Sequence, residues 1–304
     1  MSNLEHELKQ FISKYRLANH DQATQQANVL FKQYPREIKL FKSIGMLFLQ
    51  NNKLEDAINV FEKVLDLDPQ AIDNLINIGL AYYELNDLDQ AEAYLKKAEN
   101  YHRKSSQVFY SLGLVYEKKT DTEKALTYYK QAIDADPTNT DALVNLGNIY
   151  LQQKEFQNAK DAYEKALNTR PSDPNIYHNL GVVWTKLDKI DEAIECYLNS
   201  EKMHSKNSLT YYNLGFLYSK NHRYEDSLAC YKKAIKFNSK IPKYFYNLAW
   251  IQTQLREYDS AIGNYKRAIS IKPDYSEAKY KLSLIYLSKE NFSGVGKILK
   301  HELK

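Results

Sequence analysis

Asparagine residues recur in this chain in a regular register. They are Asn77, Asn145, Asn179, Asn213 and Asn247. Each side-chain amide offers a pair of donor hydrogens and an acceptor oxygen, so a row of amides can hold the backbone of an extended peptide. Five ring side chains and one lysine stand at fixed spacings from the last three asparagines. These residues are His178, Tyr212, Tyr246, Phe216, Trp250 and Lys220. This combination predicts a binding surface.

Sequence signatures of catalysis and of metal binding are missing. The chain has neither C-x-x-C nor H-E-x-x-H, and its seven histidines are scattered. Gly294-Val-Gly-Lys297 is similar to the end of a phosphate-binding loop. However, Asn291 replaces the first glycine of that loop, and Ile298 replaces the Ser or Thr that would hold magnesium. We therefore expect no cofactor, no metal and no enzymatic activity.

The asparagines belong to a sequence repeat of constant length that covers nearly the whole chain. Glycines mark the repeat at Gly45, Gly79, Gly113, Gly147, Gly181 and Gly215. Twelve residues after each glycine comes a small residue, and four further on a large apolar or aromatic one, as at Ala125 and Tyr129. Prolines close several repeats, at Pro69, Pro137, Pro171 and Pro273.

These residues resemble the tetratricopeptide repeat (TPR) family, whose pattern is W-x2-L-G-x2-Y, then A-x3-F, then P. The resemblance implies an all-α fold, a right-handed α-solenoid of tandem 34-residue helix-turn-helix units. We expect one solenoid domain over residues 1–304. Residues 38–275 would form seven regular units, 4–37 a degenerate first unit, and 276–304 a C-terminal capping unit that ends in a Lys-rich helix.

The unit at 140–173 shows the expected helix pair. Apolar periodicity predicts helix A over 140–153 and helix B over 155–170, with Thr140 or Asp141 as the cap of helix A. Counted within a unit, positions 4, 7, 8 and 11 of helix A should pack against helix B. Positions 2, 5, 6, 9 and 13 fall on the opposite arc.

In the TPR family that second arc lines a concave groove, and the candidate residues fall on it at positions 5, 6, 9 and 13. The asparagine row is similar to the asparagine ladder in the repeat region of O-linked N-acetylglucosamine transferases. A structural alternative remains for these asparagines, because N-L-G is common in such repeats, and it weighs most for Asn77 and Asn145. We therefore place the preferred binding segment at residues 174–275.

Charge is uneven along the chain. Residues 201–304 hold 19 Lys plus Arg against 9 Asp plus Glu, so we expect an acidic partner to be drawn to the carboxy-terminal half. The lysine and asparagine pattern with which some TPR proteins capture the carboxylate tail of heat-shock chaperones is not met, since Met46 and Gln107 occupy two of its positions. Binding of that tail is disfavoured.

Three classes of function remain open at this point. The first is a non-catalytic scaffold or adaptor that binds an extended peptide or a partner helix in the groove. The second is the substrate-recruiting subunit of an enzyme on another chain, such as a glycosyltransferase. The third is nucleic-acid binding, which the overall charge of +4 and the acidic residues of the B helices disfavour.

Location and assembly follow from weaker features of the sequence. Cys196 and Cys230 occupy the same position of successive repeats, on neighbouring helices whose axes would lie about 8–10 Å apart, too far for a disulfide. Free thiols suit a reducing compartment, so we expect the cytoplasm. No signal peptide or membrane span is evident. Degenerate units at both ends favour a monomer.

Overall fold

The structure is a computed structural model that describes residues 3–17 and 20–288. These residues form seventeen α-helices and no strand. They divide into an amino-terminal body that ends at Ile149 and a carboxy-terminal body that begins at Tyr150. The predicted all-α fold of tandem helix pairs is confirmed, whereas a single domain over 1–304 stays a prediction. The predicted Lys-rich end of the capping unit and the Gly294–Lys297 segment lie outside the described residues.

The helices of the first nine positions in chain order are α1 (Asn3–Leu17), α2 (His20–Gln33), α3 (Ile38–Gln50), α4 (Leu54–Leu67), α5 (Ile72–Glu84), α6 (Leu88–Tyr101), α7 (Ser106–Lys118), α8 (Thr122–Ala135) and α9 (Thr140–Gln152). From α3 onward, odd-numbered helices are the A helices of the repeats and even-numbered helices are the B helices. Within the amino-terminal body, α4 packs on α3 of its own repeat and on α5 of the next. The bodies divide within α9.

The remaining helices are α10 (Phe156–Thr169), α11 (Pro174–Lys186), α12 (Ile190–Lys202), α13 (Ser208–Lys220), α14 (Tyr224–Phe237), α15 (Pro242–Gln254), α16 (Tyr258–Ile271) and α17 (Ser276–Ser288). In the carboxy-terminal body each B helix again packs on the A helix of the following repeat. Stacking of this kind buries one side of every helix pair against its neighbours, which a single pair cannot do alone.

Polar residues just before the helices fix several of the starts. The side chains of Ser105, Asp121 and Asp173 accept hydrogen bonds from backbone N–H groups in the first turns of α7, α8 and α11. The prediction that Thr140 or Asp141 caps α9 is wrong. That helix begins at Thr140, and the side chain of the preceding Asn139 accepts from the Ala142 N–H at 3.0 Å.

The repeat glycines explain how the two helices of a pair approach each other. Phe61, Tyr129, Tyr197 and Tyr231 on the B helices are 0–1% exposed, and each ring lies against a glycine of its own A helix. A Cβ placed on Gly113 would stand 2.5 Å from the Tyr129 ring. The glycine therefore leaves the space that the aromatic ring fills, which accounts for both residue types at this spacing.

The turn between helices A and B is built without glycine. Position 15 of seven repeats has a positive φ, between 57° and 63°, and is occupied by Asn52, Asn86, Thr120, Lys154, Asp188, His222 and Arg256. Asparagine and aspartate tolerate this left-handed conformation, but a β-branched threonine is strained in it. No glycine signals these turns in the sequence, so their backbone was not predicted.

We expect Thr120→Gly to raise the free energy of unfolding by about 1 kcal/mol, because glycine removes the Cβ clash of the left-handed conformation. Urea unfolding followed by circular dichroism measures the change. Asn86→Gly is the matched control and should change stability by less than about 0.5 kcal/mol, since asparagine already tolerates this conformation. A loss of stability in Thr120→Gly would contradict the strain argument.

Candidate functional site

The A helices of the carboxy-terminal body present a continuous set of side chains that neighbouring helices do not fully cover. Positions 2, 6, 9 and 13 of α11, α13, α15 and α17 are all half-buried or exposed, whereas the glycine side of these helices is largely buried. We call this set the A-face. On α13 it consists of Leu209, Asn213, Phe216 and Lys220, and on α15 of Lys243, Asn247, Trp250 and Gln254.

Position 5 residues pack against other side chains, and two of them, His178 and Tyr212, contact the following repeat. His178 meets Thr210, and Tyr212 stacks on Tyr244 with ring centroids 5.1 Å apart. Tyr246 contacts Tyr265 edge-on at 5.7 Å and is half-buried. Position 5 is open on an isolated helix, but in the stack position 3 of the next A helix covers His178 and Tyr212. Tyr212 and Tyr246 therefore pack at the border of the A-face.

The prediction that His178 lies on the exposed arc is wrong, because the residue is buried. Its side chain is 8% exposed, its Nδ1 lies 2.9 Å from the hydroxyl of the fully buried Thr210, and its ring packs on Tyr197 at 5.7 Å. Burial lowers the pKa of the imidazole to about 4. As a neutral group, His178 thus joins α11 to α13 through its contact with Thr210, and it is buried away from the surface.

The buried imidazole makes stability depend on pH. Because the folded pKa is depressed, the unfolded chain binds more protons between pH 6.5 and pH 4, so the contribution of His178 is present above pH 6.5 and is lost as the pH falls toward 4. We expect the wild type to lose about 1–2 kcal/mol more than His178→Gln between pH 7.5 and pH 5. Urea unfolding at the two pH values measures this difference, and equal losses would contradict it.

Phe216, Trp250 and Lys220 lie on the A-face where the sequence predicts them. Phe216 is 38% exposed, and the Lys220 ammonium group lies 5.3 Å from the centroid of its ring. Trp250 is half-buried and meets Tyr224 edge-on at 6.1 Å. Phe216 and Lys220 are therefore accessible to a partner, while Trp250 offers part of its ring.

Asn213 is held by a chain of hydrogen bonds that runs back into the core. Its Nδ2 donates to the Tyr197 hydroxyl at 3.2 Å, and that hydroxyl lies 3.4 Å from Thr185 Oγ1. Thr185 uses its only hydroxyl proton on the Gly181 carbonyl at 2.8 Å, so Tyr197 must donate to Thr185 and accept from Asn213. The direction of every bond in the chain is thereby fixed.

Asn247 is held in the same way on the next repeat. Its Nδ2 donates to the Tyr231 hydroxyl at 3.3 Å and to the Tyr212 hydroxyl at 3.2 Å, which occupies both amide hydrogens. The side-chain oxygens of Asn213 and Asn247 bond to no described residue. Neither oxygen is among the buried unpaired atoms of the described residues, so solvent reaches both. They remain as acceptors.

The other predicted asparagines differ in their partners. Asn145, in the amino-terminal body, donates to the Tyr129 hydroxyl at 3.3 Å, and Tyr129 donates to Glu117 at 2.6 Å. The residue sixteen positions before Asn77 is Phe61, which has no hydroxyl. The amide nitrogen of Asn77 instead lies 3.4 Å from the sulfur of Met46. Asn179 is half-buried on the A-face of α11. Asn145, Asn213 and Asn247 thus each donate to a tyrosine sixteen residues earlier, whereas Asn77 has a phenylalanine at that spacing.

Three accessible apolar residues of the carboxy-terminal body lie at positions of the predicted arc but were not among the candidate binding residues. Leu209 is 50% exposed, Leu284 41% and Tyr280 60%. A usable signal existed for Leu284, because position 9 is apolar in each A helix of this body, as Val182, Phe216, Trp250 and Leu284. The hydrogen bonds between tyrosines and asparagines also had a sequence signal. Tyrosine and asparagine recur sixteen residues apart with the period of the repeat.

The described residues include neither a metal-binding cluster nor a reactive thiol. Within residues 3–17 and 20–288, no cluster of three or more His, Cys, Asp or Glu side chains could hold a metal ion. Cys196 and Cys230 are free, and burial raises the pKa of each thiol to about 12, so neither is a reactive thiolate. No helix in the described part of the chain is both long and apolar enough to cross a membrane.

Tetratricopeptide repeat profiles match residues 48–112, 118–180, 208–240 and 242–275. These matches cover more than half of the chain, which therefore belongs to the tetratricopeptide repeat family. No curated protein sequence is significantly similar to it. The family assignment rests on the repeat and does not extend to the asparagine ladder of the glycosyltransferases, which stays a prediction.

Solved structures share the fold at low sequence identity. PilF of Pseudomonas aeruginosa is 20% identical, with a TM-score of 0.63 over 70% of this chain and 96% of its own. The C-terminal part of a TPR protein from Cytophaga hutchinsonii is 20% identical, with a TM-score of 0.62 over 78% and 97%. YrrB, described as a TPR protein with an unusual peptide-binding site, is 20% identical, with a TM-score of 0.54 over 62% and 96%. These similarities show the fold alone.

Proposed function

We propose that this protein is a non-catalytic interaction scaffold whose A-face binds an extended peptide segment of a partner protein. TPR proteins generally mediate protein–protein interactions, and their fold is typically a non-catalytic module. YrrB, a protein of the same fold, has a peptide-binding site. The observation that carries the proposal is the A-face itself, where amide oxygens of Asn213 and Asn247 lie beside the exposed Phe216 and the half-buried Trp250.

The two kinds of residue suit the two parts of a peptide. An extended backbone carries N–H groups that the asparagine oxygens can accept, and this recognition does not depend on sequence. Apolar side chains of the peptide can bury the position 9 row, where aromatic residues contribute most of the energy of many interfaces. Asn179 and Lys220 extend the proposed site, with Tyr212 and Tyr246 at its border.

Charge on the A helices favours an acidic partner. Helices α11, α13 and α15 contain no Asp or Glu, and each contains one lysine, namely Lys186, Lys220 and Lys243. By contrast, α5, α7 and α9 of the amino-terminal body all contain carboxylates. The proposed peptide therefore carries Asp or Glu near its apolar anchors, and salt should weaken its binding.

The test begins with selection of 12-residue peptides from a random phage-displayed library against the full chain. Affinities of the selected peptides are then measured by fluorescence anisotropy for the wild type, Phe216→Ser and Leu198→Ser. Leu198 is the matched control, because it is 41% exposed on a B helix of the same body. We expect Phe216→Ser to weaken binding by about tenfold or more and Leu198→Ser to leave it within about twofold.

The preference for an acidic partner has its own readout. Selected peptides should be enriched in Asp and Glu, and Lys243→Gln should weaken them at low salt more than at high salt. Neutral or basic peptides that bind equally well at both salt concentrations would exclude this preference while leaving the site in place. Peptides that depend on Leu198 but not on Phe216 would exclude the site.

A further inference from the structure

We infer that Tyr197 and Tyr231 are positioning residues that make Asn213 and Asn247 acceptors, so that the A-face selects ligands that present N–H donors. This inference rests on the proposed function and adds residues that lie beneath the surface. Both tyrosines are 0–1% exposed and cannot touch a ligand. They act through the asparagine amides alone.

The first step is the direction of the hydrogen bonds. A free asparagine amide can flip about its terminal bond and present either its oxygen or its NH2 group. A flip of Asn213 would place the amide oxygen at the Tyr197 hydroxyl, which could donate to that oxygen only by giving up its bond to Thr185. Thr185 cannot supply a proton instead, because it donates to Gly181. The flipped arrangement therefore has one hydrogen bond fewer, the bond between Tyr197 and Thr185, and is disfavoured.

The amino-terminal body contains the same chain of hydrogen bonds, and there it ends at a carboxylate. The Tyr129 hydroxyl donates to the Glu117 carboxylate at 2.6 Å, and a carboxylate has no proton to return. Tyr129 must therefore accept from Asn145, whose Nδ2 lies 3.3 Å away. Glu117 and Thr185 both occupy position 12 of their repeats. Each accepts the hydrogen bond that the tyrosine hydroxyl donates.

Asn247 reaches the same state by a different route. In the observed orientation two tyrosine hydroxyls accept from its Nδ2, so both amide hydrogens are used and the oxygen is left for a ligand. Ligand groups that offer only acceptors, such as a lone carboxylate or a phosphate, gain nothing from these two amides. Backbone N–H groups of an extended peptide fit both.

Repeat 242–275 supplies a matched control. Tyr265 is fully buried at the position of Tyr197 and Tyr231, but the residue sixteen positions later is Lys281 instead of asparagine. The Tyr265 hydroxyl is buried and has no hydrogen-bond partner among the described residues, so its removal deletes one buried hydroxyl from a B helix without freeing an asparagine amide. Any loss of binding that appears in Tyr197→Phe but not in Tyr265→Phe reports the orientation of Asn213.

The experiment uses the full chain and the tightest peptide from the 12-residue library. Each backbone amide of that peptide is replaced in turn by an ester, which removes one N–H donor. We expect at least one ester to weaken binding to the wild type by about five- to tenfold and to weaken binding to Tyr197→Phe or Tyr231→Phe by less than about twofold. Tyr265→Phe should retain the wild-type response.

A second readout needs no peptide. In the free protein labelled with 15N asparagine, the side-chain NH2 hydrogens of Asn213 should exchange with solvent more slowly in the wild type and in Tyr265→Phe than in Tyr197→Phe. Equal exchange rates, or the same ester profile in wild type and Tyr197→Phe, would overturn the inference while leaving peptide binding intact. A library that yields no peptide sensitive to Phe216 would instead contradict the proposed function, and the exchange rates would still decide the orientation.

Discussion

Gly113→Val should lower the free energy of unfolding by about 3 kcal/mol, because the added side chain enters space that the buried Tyr129 ring occupies. A Cβ alone would approach ring atoms of Tyr129 to 2.5 and 2.6 Å, and Tyr129 is 0% exposed, so the ring has no free volume into which to move. The hydroxyl bond from Tyr129 to Glu117 further restrains it. Guanidinium unfolding followed by circular dichroism measures the loss.

Two glycines of the same chain calibrate this result. A Cβ on Gly215 would meet Tyr231 at 3.1 Å, so Gly215→Val should cost less than Gly113→Val. A Cβ on Gly263 in α16 meets nothing within 4 Å, and Gly263→Ala should raise stability by about 0.5–1 kcal/mol through helix propensity alone. If Gly113→Val were as stable as the wild type, the close approach of helices A and B would not depend on this glycine.

Asn74→Leu should raise the free energy of unfolding by about 2 kcal/mol. Asn74 is 1% exposed at position 3 of α5, and neither its Oδ1 nor its Nδ2 hydrogen-bonds to any described residue. An amide buried without partners has lost its hydrogen bonds to water and gained none in return. Leucine has the same branched shape without polar atoms, so it removes this penalty and adds buried apolar surface. Equilibrium urea unfolding reports the gain.

Asn77 on the same helix is the control for that substitution. Its side chain is half-buried and solvent reaches it, so Asn77→Leu should change stability by less than about 0.5 kcal/mol. A loss of stability in Asn74→Leu would show that the amide has a partner in solution, such as an enclosed water molecule. The pair of variants therefore separates an unpaired amide from a general effect of leucine on α5.

The fold was predictable because its determinants are local and periodic. Glycines at a constant spacing, each followed by a small and then a large residue, identify a repeat, and apolar periodicity identifies its two helices. What a single helix cannot show is the cover that the next repeat provides. His178 and Tyr212 fall on the open arc of an isolated helix but pack against position 3 of the following A helix.

The candidate site was predictable in part for the same reason. Phe216 and Lys220 lie on the A-face as expected, because the stacked helices leave positions 9 and 13 at least partly exposed. The partners of the asparagines were not predicted, since the hydrogen bond from Asn213 joins α13 to a tyrosine on the preceding B helix. Nor were the left-handed turns, because Thr120 and Arg256 are not residues that signal a positive φ.

The bond between Tyr197 and Asn213 has a consequence for how such a chain can change length. Both partners recur with the same period, so deletion of residues 208–241 would bring Asn247 to sixteen residues after Tyr197 and restore an identical connection. Duplication of the same segment would likewise add one more connection without altering the others. Between Tyr197 and Asn247, a whole repeat can therefore be added or removed while every tyrosine keeps an asparagine sixteen residues after it. Loss of any fraction of a repeat would instead leave a buried tyrosine facing the wrong residue.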